Sequence, residues 1–102
     1  MSNPLNVLEN ILTADRVIHE PVRLCIMTVL NALSSADFVY LQKTLDLTGG
    51  NLSTHVGKLV DADYVVVEKS FVDNRSRTRL ALTAAGLKAY DQYITAMRGL
   101  LA

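Results

Sequence analysis

The chain has 102 residues, half of them hydrophobic, and ten Lys or Arg residues balance ten Asp or Glu residues. This length suits a single domain, 1–102, with a core of its own, and the composition is that of a folded rather than a disordered protein. Because the formal net charge is zero, bulk charge gives no argument for an anionic partner. Only a local cluster of positive charge could attract one.

Cys25 is the single cysteine, which excludes an internal disulfide. No apolar stretch approaches the roughly 20 residues of a membrane-spanning helix, and the first ten residues lack the apolar segment of a signal peptide. These features predict a soluble cytoplasmic protein with no membrane partner. We expect Cys25 to be a small buried hydrophobe on a helix, with a redox switch as the alternative.

Two amphipathic helices are predicted at the start of the chain. The first runs from Leu5 to about Val17, and its apolar face consists of Leu5, Leu8, Ile11 and Leu12. Pro21 suits the first position of the second helix. Apolar residues then recur at helical spacing at Val22, Cys25, Ile26, Val29, Leu30 and Leu33, and Ser34-Ser35 ends the run.

A pair of closely spaced helices follows. Asp37 is a suitable N-cap for a short third helix, and Thr48 for a fourth helix that runs to about Ala62. The fourth helix is expected to turn inward its apolar residues Leu52, Val56, Leu59 and Val60. Two helices joined by about three residues have the layout of a helix-turn-helix.

After the fourth helix, the spacing of the apolar residues changes from helical to alternating. Tyr64 to Phe71 is rich in β-branched and aromatic residues and predicts a strand. Residues 72–76 have turn composition, and Thr78 to Leu82 predicts a second strand of a hairpin. Thr83 is expected to cap a last helix, whose apolar stripe is Leu87, Tyr90, Ile94, Met97 and Leu101.

The order of these elements and the motifs within them resemble the winged-helix transcriptional regulators of the MarR/ArsR type, especially their small single-domain members. The resemblance covers about residues 15–90. It depends on the segments Glu20-Pro21-Val22-Arg23-Leu24, Leu47-Thr48-Gly49-Gly50-Asn51-Leu52-Ser53-Thr54-His55-Val56-Gly57-Lys58-Leu59, Arg75-Ser76-Arg77-Thr78 and Leu82-Thr83-Ala84-Ala85-Gly86.

The resemblance implies an α+β, mainly α fold, in which a winged helix-turn-helix with a two-stranded β-wing is flanked by N- and C-terminal helices. It also implies a homodimer formed by the terminal helices, 1–17 and 84–102. The chain departs from its relatives at Asp63, where they carry glycine, and at Gly57, where they often carry a basic residue. Aspartate tolerates the left-handed conformation, whereas Gly57 removes a possible DNA contact.

The predicted function is sequence-specific binding of double-stranded DNA in transcriptional regulation. The recognition helix 48–62 would enter the major groove, and the wing 71–79 would meet the backbone or the minor groove. Small or polar side chains at a helix start suit this chemistry, and with Lys69 the wing arginines form the densest positive cluster. The candidate DNA-binding residues are Thr48, Gly49, Gly50, Asn51, Ser53, Thr54, Lys58, Arg75, Arg77 and Arg79.

The candidate dimer interface combines the apolar faces of the two terminal helices. A stripe of this kind can pack against its own core or against a partner, and the two helices carry more apolar surface than a small domain covers. The predicted interface residues are Leu5, Leu8, Ile11, Leu12, Leu87, Tyr90, Ile94, Met97 and Leu101.

Other readings of these patterns remain open. The polar helix face and the wing arginines could simply be solvated surface, and the chain could be a winged-helix protein–protein adaptor that no longer binds DNA. No nucleophile–base motif or phosphate loop is present, so no enzyme activity is predicted, and neither a metal nor a cofactor is expected. His55 is expected to pack at the core edge and His19 to pair with Glu20 or another acid, while a small-molecule effector is a possibility without a named ligand.

Overall fold

The computed structural model describes residues 4–100 as five helices and one three-stranded sheet. Within these residues no helix is long and apolar enough to cross a membrane. The elements in chain order are α1 (Pro4–Leu12), α2 (Pro21–Leu33), β1 (Ser35–Asp37), α3 (Phe38–Thr44), α4 (Gly49–Asp61), β2 (Val65–Val72), β3 (Arg75–Leu82) and α5 (Ala84–Arg98).

The helices begin at side chains that accept hydrogen bonds from otherwise unpaired backbone N–H groups. Pro21 opens α2, and the carboxylate of Glu20 before it accepts from the N–H of Arg23 at 2.7 Å. The Thr48 hydroxyl accepts from the N–H of Asn51 at 3.1 Å at the start of α4. The roles predicted for Pro21, Thr48 and Thr83 are therefore confirmed, since Thr83 caps α5 in the same way.

The first helix is shorter than predicted, because it ends at Leu12 rather than near Val17. The Asp15 carboxylate accepts hydrogen bonds from the N–H groups of Val17 and Ile18, at 2.8 and 3.2 Å. It also accepts one from the hydroxyl of Tyr64. A side chain that satisfies nearby backbone N–H groups offers the chain an alternative to further helix.

The end of α4 has the left-handed residue that its sequence predicts. Asp63 has a φ of 63°, and its N–H donates to the carbonyl of Val60 at 2.9 Å, while the N–H of Tyr64 donates to the carbonyl of Leu59 at 3.0 Å. This pair of bonds satisfies the last carbonyls of a helix and turns the chain away from it. The turn brings the chain directly into β2.

The sheet has one strand more than predicted. Its order is β1-β3-β2, with both pairs antiparallel, and the register sets Asp37 opposite Arg79 and Lys69 opposite Thr78. The short β1 was not expected, because residues 34–37 were assigned to a helix end and a helix cap. Three residues whose partner strand lies more than forty positions later leave no local periodic signal.

The hairpin of β2 and β3 is longer and tighter than predicted. Only Asp73 and Asn74 separate the strands, with φ values of 52° and 63°. Two successive left-handed residues form the tight turn whose twist matches that of paired strands, and Asp and Asn tolerate this conformation. The predicted turn at 72–76 was too long for that reason, and β3 begins at Arg75 rather than Thr78.

The core lies between the helices and the inner end of the sheet. Its fully buried residues include Ile18, Ile26, Met27, Leu30, Leu41, Leu52, Leu59 and Leu80. The expected inner positions of Cys25 and Val60 are wrong, since Cys25 is exposed and Val60 keeps 41% of its surface exposed. In α2 the buried side is centred on Ile26, Met27 and Leu30, which leaves Cys25 on the rim of the apolar stripe.

Candidate nucleic-acid interface

The outer face of α4 presents small and polar side chains near its N-terminus. Gly50, Asn51, Ser53 and Thr54 are exposed, as are Thr48 before them and Lys58 further along. The hydroxyl of Thr54 donates to the carbonyl of Gly50 at 3.0 Å, so it offers acceptor lone pairs and a methyl group to the outside. Gly49 is half-buried at the edge of this face.

The glycines of α4 have no packing role within the protomer. A Cβ added at Gly50 or Gly57 would meet nothing within 4 Å, and one at Gly49 would make an ordinary contact with the Gln42 side chain at 3.8 Å. Glycine inside a helix costs about 1 kcal/mol relative to alanine. The contrast is Gly86 of α5, where a Cβ would collide with the carbonyl oxygen of Tyr64.

The opposite flank of α4 is attached to the start of α2. His55 Nδ1 lies 3.2 Å from Arg23 Nη1 and 3.5 Å from Glu20 Oε2, and Arg23 Nε donates to the carbonyl of Val17 at 2.6 Å. Burial acts to raise the pKa of Glu20, but backbone hydrogen bonds from Arg23 and Val22 and the nearby His55 and Arg23 charges bring it below its ordinary value. His55 thus lies at the core edge, as predicted.

His19 has a different partner from the one expected. Its Nδ1 lies 2.7 Å from the hydroxyl of Tyr93 on α5, rather than beside Glu20 or another acid. Burial raises the pKa of Tyr93. Among residues 4–100, no three His, Cys, Asp or Glu side chains form a group that could hold a metal ion.

The wing, which in the structure is the whole hairpin of β2 and β3, has two faces of different chemistry. Arg75, Arg77 and Arg79 share one face, as predicted, and Arg77 Nη1 and Arg79 Nε lie 3.7 and 3.5 Å from the Asp37 carboxylate. We call this the arginine face, and Glu68 lies on it opposite Arg79. Asp37 occupies the N-cap position of α3 but makes no side-chain capping bond, so its expected capping role is wrong.

The other wing face is turned toward α4, and we call it the cleft face. Between it and α4 lies an open cleft of about 420 Å³. The helix contributes Ser53, Val56, Gly57, Val60 and Asp61 to its lining, and the wing contributes Val67, Lys69, Thr78 and Leu80. The cleft therefore lies between the outer surface of the helix-turn-helix and the wing.

The terminal helices leave part of their apolar surface uncovered. Leu5, Leu8, Ile11 and Leu12 of α1 are between 42% and 73% exposed, and Leu87 of α5 is 46% exposed. Ile94 and Met97 are half-buried against the protomer's own core. Leu101 lies outside the described residues.

Tyr90 does not belong to this exposed stripe, contrary to expectation. It is 7% exposed, and its hydroxyl donates to the Thr28 hydroxyl at 3.0 Å. A buried tyrosine needs such a partner for its hydroxyl, and α2 supplies it. Tyr90 is a core residue of the protomer.

Known proteins share this arrangement. A model of the family described as the winged helix DNA-binding domain matches residues 22–101. The chain belongs to this family. This winged-helix protein is 34% identical over 79 residues to an uncharacterized protein of Methanocaldococcus jannaschii, an alignment that covers 78% of this chain and 86% of the relative.

The same fold occurs in solved structures of transcriptional regulators, including MarR proteins. A transcriptional regulator homologue from Pyrococcus horikoshii superimposes with a TM-score of 0.85 at 32% identity, covering 93% of both chains. A mutant MepR of S. aureus bound to an oligodeoxyribonucleotide gives a TM-score of 0.71 at 17% identity, covering 95% of this chain and 74% of the other. At that identity the second likeness concerns the fold alone. The family is one of DNA-binding proteins rather than enzymes.

Sequence reasoning missed Asp37 as a partner of the wing. The register that sets Asp37 opposite Arg79 exists only because β1 pairs with β3, and β1 carries no pattern of its own. The division of the wing into two faces was open to prediction, since side chains of a strand alternate. It separates Lys69 from the arginines with which it had been grouped.

Proposed function

We propose that this winged-helix protein is a transcriptional regulator that binds double-stranded DNA sequence-specifically as a homodimer. Helix 48–62 enters the major groove, and the outer part of the wing, residues 71–79, contacts the backbone or the minor groove. One observation carries the proposal: the capped start of α4 bears exposed polar groups and glycines that nothing in the protomer requires. A partner that packs closely against α4 from outside the protomer accounts for the glycines, because a backbone without side chains can approach the partner most closely.

Asn51 and Thr54 are the proposed base readers. The Asn51 amide offers a donor and an acceptor together, which is the pattern that adenine presents in the major groove. Thr54 offers an acceptor and a methyl group, because its hydrogen is engaged by the Gly50 carbonyl. Thymine, with its own methyl group, and bases with exposed amino groups suit these contacts.

The neighbouring residues are proposed to hold the DNA backbone. The N-terminus of α4 directs free N–H groups outward, which gives Thr48, Gly49 and Gly50 a backbone role, and the Ser53 hydroxyl adds a donor. Lys58 meets a phosphate one turn further along. Arg75, at the tip of the wing and without an ion-pair partner among the described residues, extends the same contact.

The homodimer would be formed by the exposed apolar faces of α1 and α5. Four apolar side chains of α1 are too exposed to be part of the protomer core, and a second copy can cover them. A twofold dimer would bring two copies of α4 to successive major grooves, as in other dimeric helix-turn-helix proteins.

A competition experiment tests base reading. A preferred site is first selected from random DNA, and Asn51→Ala, Thr54→Ala and Lys58→Ala are then compared on that site and on scrambled DNA. The Asn51 and Thr54 variants should lose about 1–3 kcal/mol on the selected site with little change on scrambled DNA. The Lys58 variant should weaken both equally, and Lys88→Ala on α5 serves as the control for loss of charge.

The opposite results would count against the proposal. If the Asn51 and Thr54 variants lose affinity equally on both DNAs, α4 does not read sequence through them. If the unaltered protein selects no site and shows no salt-dependent DNA binding, the proposal fails and the alternative of a winged-helix protein–protein adaptor gains support. Its neutral net charge is the feature that favours this second function.

A further inference from the structure

The two faces of the wing differ in their balance of charge. On the arginine face Asp37 and Glu68 offset the positive charges of Arg77 and Arg79 and leave only Arg75, at the tip, without a matching carboxylate among the described residues. The ion pairs are largely exposed and exposed ion pairs are weak, so their strength does not immobilise the arginines. The balance of charge matters more, because a phosphate approaching this face would meet two carboxylates.

The cleft face carries a single wing cation, Lys69. Its neighbour across the strands is Thr78, and both line the cleft beside Ser53 of α4. An ammonium and two hydroxyls provide the donors that a phosphate group accepts from. Lys69 is exposed and, among the described residues, has no ion-pair partner.

Asp61 is the acid that lines the same cleft. It lies eight residues after Ser53 on α4, which is roughly 12 Å along a helix axis. β2 starts beside the C-terminal end of α4, so its first residues lie near Asp61, whereas Lys69 is four residues further along the strand. Ser53 and Lys69 therefore lie toward the end of the cleft that is away from Asp61.

We propose that this end of the cleft is a phosphate site for the DNA backbone, with Lys69 as its cation and Ser53 and Thr78 as hydroxyl donors. The inference depends on the proposed function, because the cleft begins at the helix that is to enter the major groove. A DNA strand leaving α4 for the wing passes over the cleft. Lys69 then supplies the wing's contact beside the recognition helix, while Arg77 and Arg79, with Asp37, join the wing to β1.

The test is the salt dependence of binding to mixed-sequence double-stranded DNA, measured by fluorescence anisotropy. Each phosphate contact contributes about 0.9 to the slope of log K against log salt. Lys69→Gln should flatten the slope by roughly that amount per protomer, and Lys69→Arg should keep it. The double variant Arg77→Gln/Arg79→Gln should change the slope by less than half as much, although it removes twice the charge. Lys88→Gln is the control.

The outcomes separate this inference from the proposed function. If the unaltered protein binds DNA with a steep slope and Lys69→Gln leaves that slope unchanged, the phosphate site is absent while the proposed function stands. A double arginine variant that flattens the slope more than Lys69→Gln also overturns the inference. If the unaltered protein shows no salt-dependent binding, the proposed function itself fails.

Discussion

The helix-turn-helix body and the N-terminal helix use their apolar residues in opposite ways. In α2 to α4 the leucines at 30, 41, 52 and 59 are fully buried, and α2 and α4 begin at capping side chains. In α1, Leu8 and Leu12 are 54% and 73% exposed. The body thus has a buried core of its own, although Leu33 and Val39 at its surface are 52% and 56% exposed, whereas none of the four apolar side chains on the α1 face is fully buried. Apolar residues therefore build the core in one region and remain partly exposed to solvent in the other.

Alanine substitutions should show this contrast most strongly. Leu59→Ala leaves a cavity in the body and should lower the free energy of unfolding by about 2–5 kcal/mol. Leu12→Ala removes an exposed side chain and should cost the protomer less than about 0.5 kcal/mol. Urea unfolding at several protein concentrations distinguishes them, because only the Leu12 effect should depend on concentration. A concentration-independent loss for Leu12→Ala would show that α1 packs within its own protomer.

Charge placed on α1 should break the dimer without unfolding the body. In the double variant Leu8→Glu/Leu12→Glu, two carboxylates would have to lose their hydration at the interface. Light scattering should then report a folded monomer at concentrations where the unaltered protein is dimeric, with unchanged circular dichroism. Val39→Glu, the same change at an exposed residue of α3, is the matched control. If the unaltered protein is monomeric on the order of tens of micromolar, the homodimer proposal fails.

The contact between Asp15, which follows α1, and Tyr64, which follows α4, should make the stability of the protein sensitive to alkaline pH. The hydrogen bond to Asp15, with burial and the Asp15 charge, raises the pKa of Tyr64 from 10.0 to about 12. A raised pKa means that the fold favours the neutral hydroxyl, so its contribution is complete below pH 10 and is lost toward about pH 12. Thermal melting temperatures should fall over this range.

Tyr64→Phe identifies the group responsible. This variant should start from a lower melting temperature and fall less steeply between pH 10 and about 12. The burial of Tyr93 raises its pKa as well, so part of the alkaline loss should persist. Equal slopes for the variant and the unaltered protein would mean that the Asp15–Tyr64 hydrogen bond does not contribute to stability.

A small gain in stability is expected inside the body at Gly57, where the protein leaves room for a side chain. Gly57→Ala should raise the free energy of unfolding by roughly 1 kcal/mol, because the added Cβ meets nothing within 4 Å. Gly86→Ala is the control with the opposite sign, since its Cβ would meet the Tyr64 carbonyl oxygen. Urea midpoints measure both. A destabilised Gly57→Ala variant would show that the cleft closes over this residue.

Much of the fold could be predicted from local signals, because each depends on residues close together in the chain. Thr48 and Thr83 mark helix starts, and Asp63 ends α4 in a left-handed conformation. The change from helical to alternating spacing of apolar residues at Tyr64 predicts the hairpin. The first strand escaped prediction, since three residues with a distant partner have no pattern of their own. The same distance concealed the contact of Asp37 with Arg77 and Arg79.

For the candidate site, the sequence indicated which residues are polar and exposed but not what surrounds them. The face of α4 that carries Asn51 and Thr54 follows from helical periodicity, and it is exposed as expected. Tyr90 satisfies the same periodicity as Ile94, yet Tyr90 is buried in the core and donates a hydrogen bond to Thr28 of α2. Periodicity shows that a stripe is apolar, whereas tertiary packing decides which of its members remain for a partner.

The two-residue turn at Asp73 and Asn74 also bears on how this wing can change during evolution. Strand residues alternate between the two faces, so adding residues to β2 in pairs preserves the face on which Lys69 lies. A single residue inserted between Val67 and Lys69 would move the lysine to the arginine face, unless a bulge absorbed it. Insertions of an even number of residues should therefore be tolerated, because they keep the charge of Lys69 on the face that borders α4. Insertions of an odd number of residues would move that charge to the arginine face.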